Sequence, residues 1–132
     1  MKCLDTTFII DFLRNDEGAI SRAALIEETE GLVITSINIF EVLVGIEAMR
    51  EGKERRKDKI EQFISRVEVL PFDVESARRA SRVADELIKN GKTINVEDSL
   101  VAGAMISSGC NVIITRDAEH FSRISEIEVE GY

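Results

Sequence analysis

Lys2-Cys3-Leu4-Asp5-Thr6-Thr7 and, far along the chain, Val112-Ile113-Ile114-Thr115-Arg116-Asp117 share one pattern: a short apolar run closed by an acid. Apolar residues on consecutive rather than alternate positions suit strands buried on both faces of a parallel sheet. Working outward, similar runs occupy Leu32–Thr35, Val67–Leu70 and, more weakly, Ile127–Val129. The segments between them carry helical spacing. The clearest is Val74–Lys89, where Ala77, Ala80, Ala84, Leu87 and Ile88 recur at three- and four-residue steps, leaving Arg78, Arg79, Arg82, Asp85 and Glu86 for water. Gly31, Gly52, Gly91 and Gly109 fall just past helical stretches, where a left-handed cap residue is wanted. Strands alternating with helices predict an α/β fold: three layers, α/β/α, around a central, mostly parallel sheet of about five strands.

The chain has 132 residues, a single proline (Pro71), no Ser/Gly-rich tract and no repeat, so one domain is expected over residues 1–132. Seventeen Lys and Arg face 25 Asp and Glu, a net charge of −8, which excludes a generic basic nucleic-acid coat. Hydrophobic residues make up 44%, which excludes a disordered chain. Cys3, Cys110 and His120 cannot build a zinc site of four Cys/His ligands. No apolar run approaches the roughly 18–20 residues of a membrane span, and Asp5 breaks the pattern of a signal peptide. A cytoplasmic protein with no membrane partner is expected.

Ligands of open α/β sheets collect outside the carboxyl ends of the strands, so acids placed there matter most. Asp5 and Asp117 each follow a strand run. Glu41 lies early in an apolar helix after the second run, and Asp98 lies in the first turn of the helix before the fourth. Helix capping is one reading: Asp5 and Asp117 as N-caps, with Asn38 to Glu41 and Asn95 to Asp98 as variants of the capping box. Two contexts argue otherwise. Glu41 has no cation three or four residues away, and Asp98 shares its face with Val101, Ala102 and Met105. Four acids on one rim would repel unless a cation neutralised them, and ligands that are all oxygen favour Mg²⁺ or Mn²⁺ over zinc. Phosphodiester chemistry follows.

Four stretches carry a family likeness: Leu4-Asp5-Thr6-Thr7-Phe8-Ile9-Ile10-Asp11, Asn38-Ile39-Phe40-Glu41-Val42-Leu43-Val44-Gly45, Asp98-Ser99-Leu100-Val101-Ala102-Gly103-Ala104 and Thr115-Arg116-Asp117-Ala118-Glu119-His120-Phe121. In this order and spacing they resemble a PIN domain of the VapC toxin branch, over nearly the whole chain. The resemblance implies a metal-dependent endoribonuclease whose acids are Asp5, Glu41, Asp98 and Asp117. It implies in-line attack on RNA by metal-activated water, leaving 5′-phosphate and 3′-hydroxyl ends. Thr6 and Thr115 are implied as polar supports, a VapB-type antitoxin as partner, and a homodimer as the assembly. Many relatives carry Asn at the position of Asp117, which makes its charge the most dispensable of the four. The apolar run from Ile37 to Met49 adds to the expectation of a dimer, since it exceeds what one helix face needs to bury.

Other signals read as structural. Asp11 is assigned to a helix-surface pair with Arg14, three residues on. Six cations between Arg50 and Lys59, against three acids, read as a solvated helical face. Arg116, beside Asp117, is the better phosphate contact. His120 reads as a capping or packing group rather than a general base, and the aromatics as mainly core, with no platform for stacking bases.

Two rivals among enzymes also gather acids at the carboxyl edge of a parallel sheet, a phosphoacceptor domain and a phosphatase with an aspartate nucleophile. Ile127–Val129 lacks a preceding lysine and Asp5-Thr6-Thr7 lacks the second Asp of a DxD loop. No GxxxxGK[ST] or GxGxxG motif is present. A non-catalytic interaction domain that keeps its acids as caps remains the alternative from another class.

Overall fold

The computed structural model describes all residues from Met1 to Tyr132. Five short strands, β1 (Lys2–Leu4), β2 (Leu32–Thr35), β3 (Glu68–Leu70), β4 (Val112–Ile114) and β5 (Glu128–Glu130), form one sheet in the order β3-β2-β1-β4-β5. Every pairing is parallel. Six helices accompany them: α1 (Thr6–Leu13), α2 (Glu17–Thr29), α3 (Ser36–Glu47), α4 (Lys53–Ile64), α5 (Val74–Lys89) and α6 (Val96–Ser107). A short 3₁₀ turn at Phe121–Arg123 precedes β5.

Strand periodicity splits the interior in two. Cys3, Val33 and Ile113 point to one face and join Val83 and Leu87 of α5 and Val101, Ala102 and Met105 of α6. Their neighbours Leu4, Ile34 and Ile114 point to the other and join Phe8 and Ile9 of α1, Ala23 of α2, Val42 of α3 and Ile60 of α4. Both faces of the sheet are therefore dry, which is why its strands read as continuous apolar runs rather than alternating ones.

Glycines shape the helical layers in two ways. Gly31, Gly52, Gly91 and Gly109 all have positive φ, and Gly52 differs from the sequence expectation by opening α4 as its N-cap. Gly103 has a different purpose. A Cβ there would lie 2.5 Å from the Ser76 carbonyl oxygen and 2.6 Å from Ala80 Cβ, so only glycine lets α6 lie against α5 at this spacing.

The strand order locates a candidate crevice. From β1 the chain builds outward through β2 to β3, then crosses back to lay β4 and β5 on the opposite side of β1. The order reverses between β1 and β4, and the space beyond their carboxyl ends is where α/β sheets bind ligands. Asp5 ends one of these two strands and Thr115-Arg116-Asp117 follow the other.

Candidate active site

Asp5 stands at the N-cap position of α1 with extended backbone, yet its side chain makes no capping bond. Its buried carboxylate accepts hydrogen bonds from Thr115 Oγ1 at 2.7 Å and Thr7 Oγ1 at 3.4 Å. Burial pushes its pKa up and the charge of Asp98 adds to the rise, while the bonds from Thr115, Thr7 and the Thr6 backbone oppose it.

Glu41 is delivered by the start of α3. Thr35, at the end of β2, accepts from the Asn38 backbone N–H at 3.1 Å, and Asn38 Oδ1 accepts from the Thr35 N–H at 3.0 Å, forming the capping box. Asn38 is fully buried, and its Nδ2 donates to Thr6 Oγ1 at 3.1 Å. Thr6 Oγ1 in turn donates to Glu41 Oε1 at 2.8 Å. Burial raises the Glu41 pKa, and the charges of Asp5, Asp98 and Glu97 raise it further against the Thr6 bond.

Asp98 occupies the first turn of α6, where Asn95 at the N-cap makes no side-chain bond. Its Oδ2 lies 2.7 Å from His120 Nδ1. Burial raises its pKa, with Asp117 and Glu97 adding and His120 opposing. Asp117 is exposed on the rim. Its N–H donates to Thr115 Oγ1 at 3.0 Å, and its Oδ1 accepts weakly from the Glu119 N–H at 3.4 Å.

Asp98 therefore raises the affinity of Asp5 and Glu41 for protons, Asp5 raises that of Glu41, and Asp117 and Glu97 raise that of Asp98. They do not form a closed cage, because no three Asp, Glu, His or Cys side chains come together closely enough to enclose an ion. Asp98 is drawn to His120 and Glu41 to Thr6 instead.

The model of the PIN domain matches residues 2–127. The chain belongs to the PIN domain family. It is 32% identical over 129 residues to the tRNA(fMet)-specific endonuclease VapC of Salmonella typhimurium, covering 98% of this chain and 96% of that one. It is 33% identical over 128 residues to a ribonuclease VapC of Rickettsia bellii, covering 96% and 92%. Among solved structures, the DNA-bound VapBC complex of Salmonella typhimurium superposes with a TM-score of 0.87 at 31% identity, over 98% of this chain and 96% of that one. The VapBC2 complex of Rickettsia felis bound to promoter DNA shares the fold with a TM-score of 0.90 at 22% identity, over 99% and 98%.

Within this PIN domain several expectations are corrected. The capping box uses Thr35 with Asn38, not Asn38 with Glu41, because Thr35 is the residue at the junction of β2 and α3. Asp11 does not pair with Arg14. It is buried, accepts from the Tyr132 hydroxyl, and lies 3.2 Å from Arg116 Nη1. His120 stands at the N-cap position of the 3₁₀ turn but makes no side-chain capping bond there; its ring faces the Asp98 carboxylate instead. Phe40 is 60% exposed, not core, because α3 is apolar around more of its circumference than the sheet can cover.

The basic run is only partly the paired surface expected: Lys53 and Lys57 both reach Glu47, while Arg55, Arg56 and Lys59 join Arg14 around a cleft of about 520 Å³. Sequence reading missed Thr7, Thr35 and the role of Asn38. The one available signal was their chemistry: hydroxyl and amide side chains just past strand ends, close in sequence to acids.

Proposed function

We propose that this chain is an endoribonuclease that depends on Mg²⁺ or Mn²⁺ and serves as the toxin of a VapBC-type pair. One observation carries the reading: at the β1–β4 crevice Asp5, Glu41 and Asp98 each have a pKa raised by burial, and neighbouring acids add to the rise, Asp98 at Asp5, Asp5 and Asp98 at Glu41, and Asp117 and Glu97 at Asp98. Such an arrangement is relieved by a hard cation, and donors that are all oxygen suit Mg²⁺ or Mn²⁺. Asp5, Glu41 and Asp98, with Asp117 at the exposed rim, would hold the ion. When bound, it supplies neutralising charge and Lewis acidity toward water and phosphate oxygens.

The remaining work belongs to the protein. Thr115 and Thr7 favour the ionised form of Asp5, Thr6 does the same for Glu41, and His120 for Asp98. The exposed Arg116 supplies positive charge to an RNA phosphate.

RNA as the substrate is supported by relatives named as ribonucleases, two of them for tRNA(fMet), which makes tRNA the first substrate to try. The VapBC complexes among its structural relatives support a VapB-type antitoxin as partner. An acidic segment of such a partner fits the cationic cleft around Arg14, Arg55, Arg56 and Lys59. Exposed Phe40 and Val44 on α3, and Val74, Ile88 and Val96 beside the apolar groove of α5 and α6, supply complementary faces for a homodimer. Residues 1–132 act as a single domain in the cytoplasm; no helix is long and apolar enough to cross a membrane.

The test is incubation of purified protein with mixed tRNA in Mn²⁺ or in EDTA, beside the Asp98→Asn variant. Cleavage confined to the parent in Mn²⁺ is expected. Equal cleavage in EDTA, or by the variant, overturns the reading.

A further inference from the structure

Asp11 is the buried acid that the carboxylate site leaves unused. It sits one helical turn beyond Thr7 in α1, so the two side chains share a face. Two groups approach the same oxygen: the Tyr132 hydroxyl donates to Asp11 Oδ2 at 2.5 Å, and Arg116 Nη1 lies 3.2 Å from it. The Tyr132 ring is itself fixed edge-on against buried Phe8, with centroids 4.7 Å apart at 70°. The carboxylate is thus anchored independently of the arginine.

Arg116 is held at both ends. Its backbone N–H donates to Thr7 Oγ1 at 3.3 Å, and that hydroxyl also bonds Asp5 Oδ2 and adjoins Thr115 Oγ1 at 3.3 Å. Its guanidinium reaches Asp11, one turn further along α1. The cation is therefore displaced by about one 5.4 Å helical turn from Thr7, and by six residues, about 9 Å of helix rise, from Asp5. That suits a phosphate neighbouring the one beside the acids.

We propose that Asp11 and Tyr132 form a clasp that fixes the Arg116 guanidinium as the binding group for an RNA phosphate flanking the cleaved one. Asp11 is then a positioning residue, and Arg116 the group that touches substrate. The proposal rests on the ribonuclease reading above.

A plain stabilising ion pair fits the geometry less well. A guanidinium has five N–H donors, and Asp11 engages it through one nitrogen while the side chain remains 63% exposed. A cation recruited only to neutralise a buried acid would be buried with it. Fixing the side chain in advance also removes rotamer freedom that RNA binding would otherwise have to quench. In a chain of net charge −8, a cation pinned beside the acids offsets their repulsion of RNA where it is strongest.

The experiment measures kcat and KM of the full chain against an RNA that the parent cleaves, over a range of salt, with melting temperatures alongside. Arg116→Gln is expected to raise KM about tenfold, the loss of one hydrogen bond to a charged group, with little change in kcat. It should also lower the slope of log binding against log salt by about 0.7, one phosphate contact on a single strand. Arg116→Lys should restore the slope. Tyr132→Phe keeps the packing on Phe8 but loosens the clasp and leaves buried Asp11 with one donor fewer, so KM should rise with the slope retained and the melting temperature modestly lowered; Asp11→Asn should raise KM with the slope likewise retained. An Arg116→Gln enzyme with unchanged KM and slope overturns this inference alone. So does a pair of clasp variants, Asp11→Asn and Tyr132→Phe, that lose only melting temperature. A parent that cleaves no RNA in Mn²⁺ overturns the ribonuclease reading, and the clasp's role with it.

Discussion

His120 Nδ1 lies 2.7 Å from Asp98 Oδ2 and so ties the segment after β4 to the first turn of α6. For the neutral ring to donate, its proton must sit on Nδ1, which leaves Nε2 as an acceptor. Partners of this kind orient metal-binding carboxylates, and their loss typically lowers affinity about 10–100-fold. His120→Ala should therefore weaken Mn²⁺ binding at least about tenfold by calorimetric titration, with the helical content unchanged. Unchanged affinity would show that the contact does not prepare Asp98.

The carboxylates also set the pH dependence of the metal-free protein. Asp5, Glu41 and Asp98 have pKa values raised by burial and, less, by the charge of nearby acids. An acid with a folded pKa above its unfolded value of about 4 costs no stability below that value and destabilises as pH rises through the folded one. The melting temperature in EDTA should therefore fall as pH rises from about 4 toward neutrality. Asp98→Asn should flatten that fall, raise the melting temperature at pH 7, and abolish the further rise that Mn²⁺ gives the parent. If these acids were helix caps, the same variant would be neutral or mildly destabilised and Mn²⁺ would act on neither protein.

The legible part of this molecule was what consecutive residues decide. Cys3 and Leu4, or Ile113 and Ile114, are apolar in pairs because each pair feeds both cores, and that betrayed the parallel sheet. Acids at strand ends then pointed to the candidate rim. Long-range pairing was illegible. Nothing local fixes the order β3-β2-β1-β4-β5, which puts Asp5 and Thr115 on adjacent strands. Asp11 offered Arg14 three residues away, but its true partner follows β4, where the register of β1 on β4 carries it. Asp98 and His120 are 22 residues apart and meet only because α6 and the loop after β4 share one end of the sheet. The exposure of Phe40 was hidden by the apolarity of α3 on all sides.

Gly103 should be intolerant of any side chain. A Cβ would meet the Ser76 carbonyl and Ala80 Cβ well inside contact distance, and both belong to rigid helix rather than to a flexible side-chain tip. Gly103→Ala should cost roughly 1–3 kcal/mol in urea unfolding, as overpacking of a close helix pair does. A loss within experimental error would mean that α5 and α6 separate freely.

Phe40 should decide the assembly. It stands 60% exposed on α3 with Val44 beside it at 53%, outside both cores. Phe40→Ser should convert the proposed dimer to monomer by sedimentation equilibrium at micromolar protein, without lowering the monomer's helical content. A parent that is already monomeric there, or a variant that still dimerises, would contradict the assigned face.

Cation binding by the acids at the β1–β4 crevice is open to direct observation. Crystals soaked in Mn²⁺ and measured for its anomalous scattering test it most directly, with Asp5→Asn crystals as the control. The account predicts an anomalous peak bonded to carboxylate oxygens of Asp5 and Asp98 in the parent and none at that place in the variant. A parent crystal with no peak among Asp5, Glu41, Asp98 and Asp117, from protein that still cleaves RNA in EDTA, would contradict it.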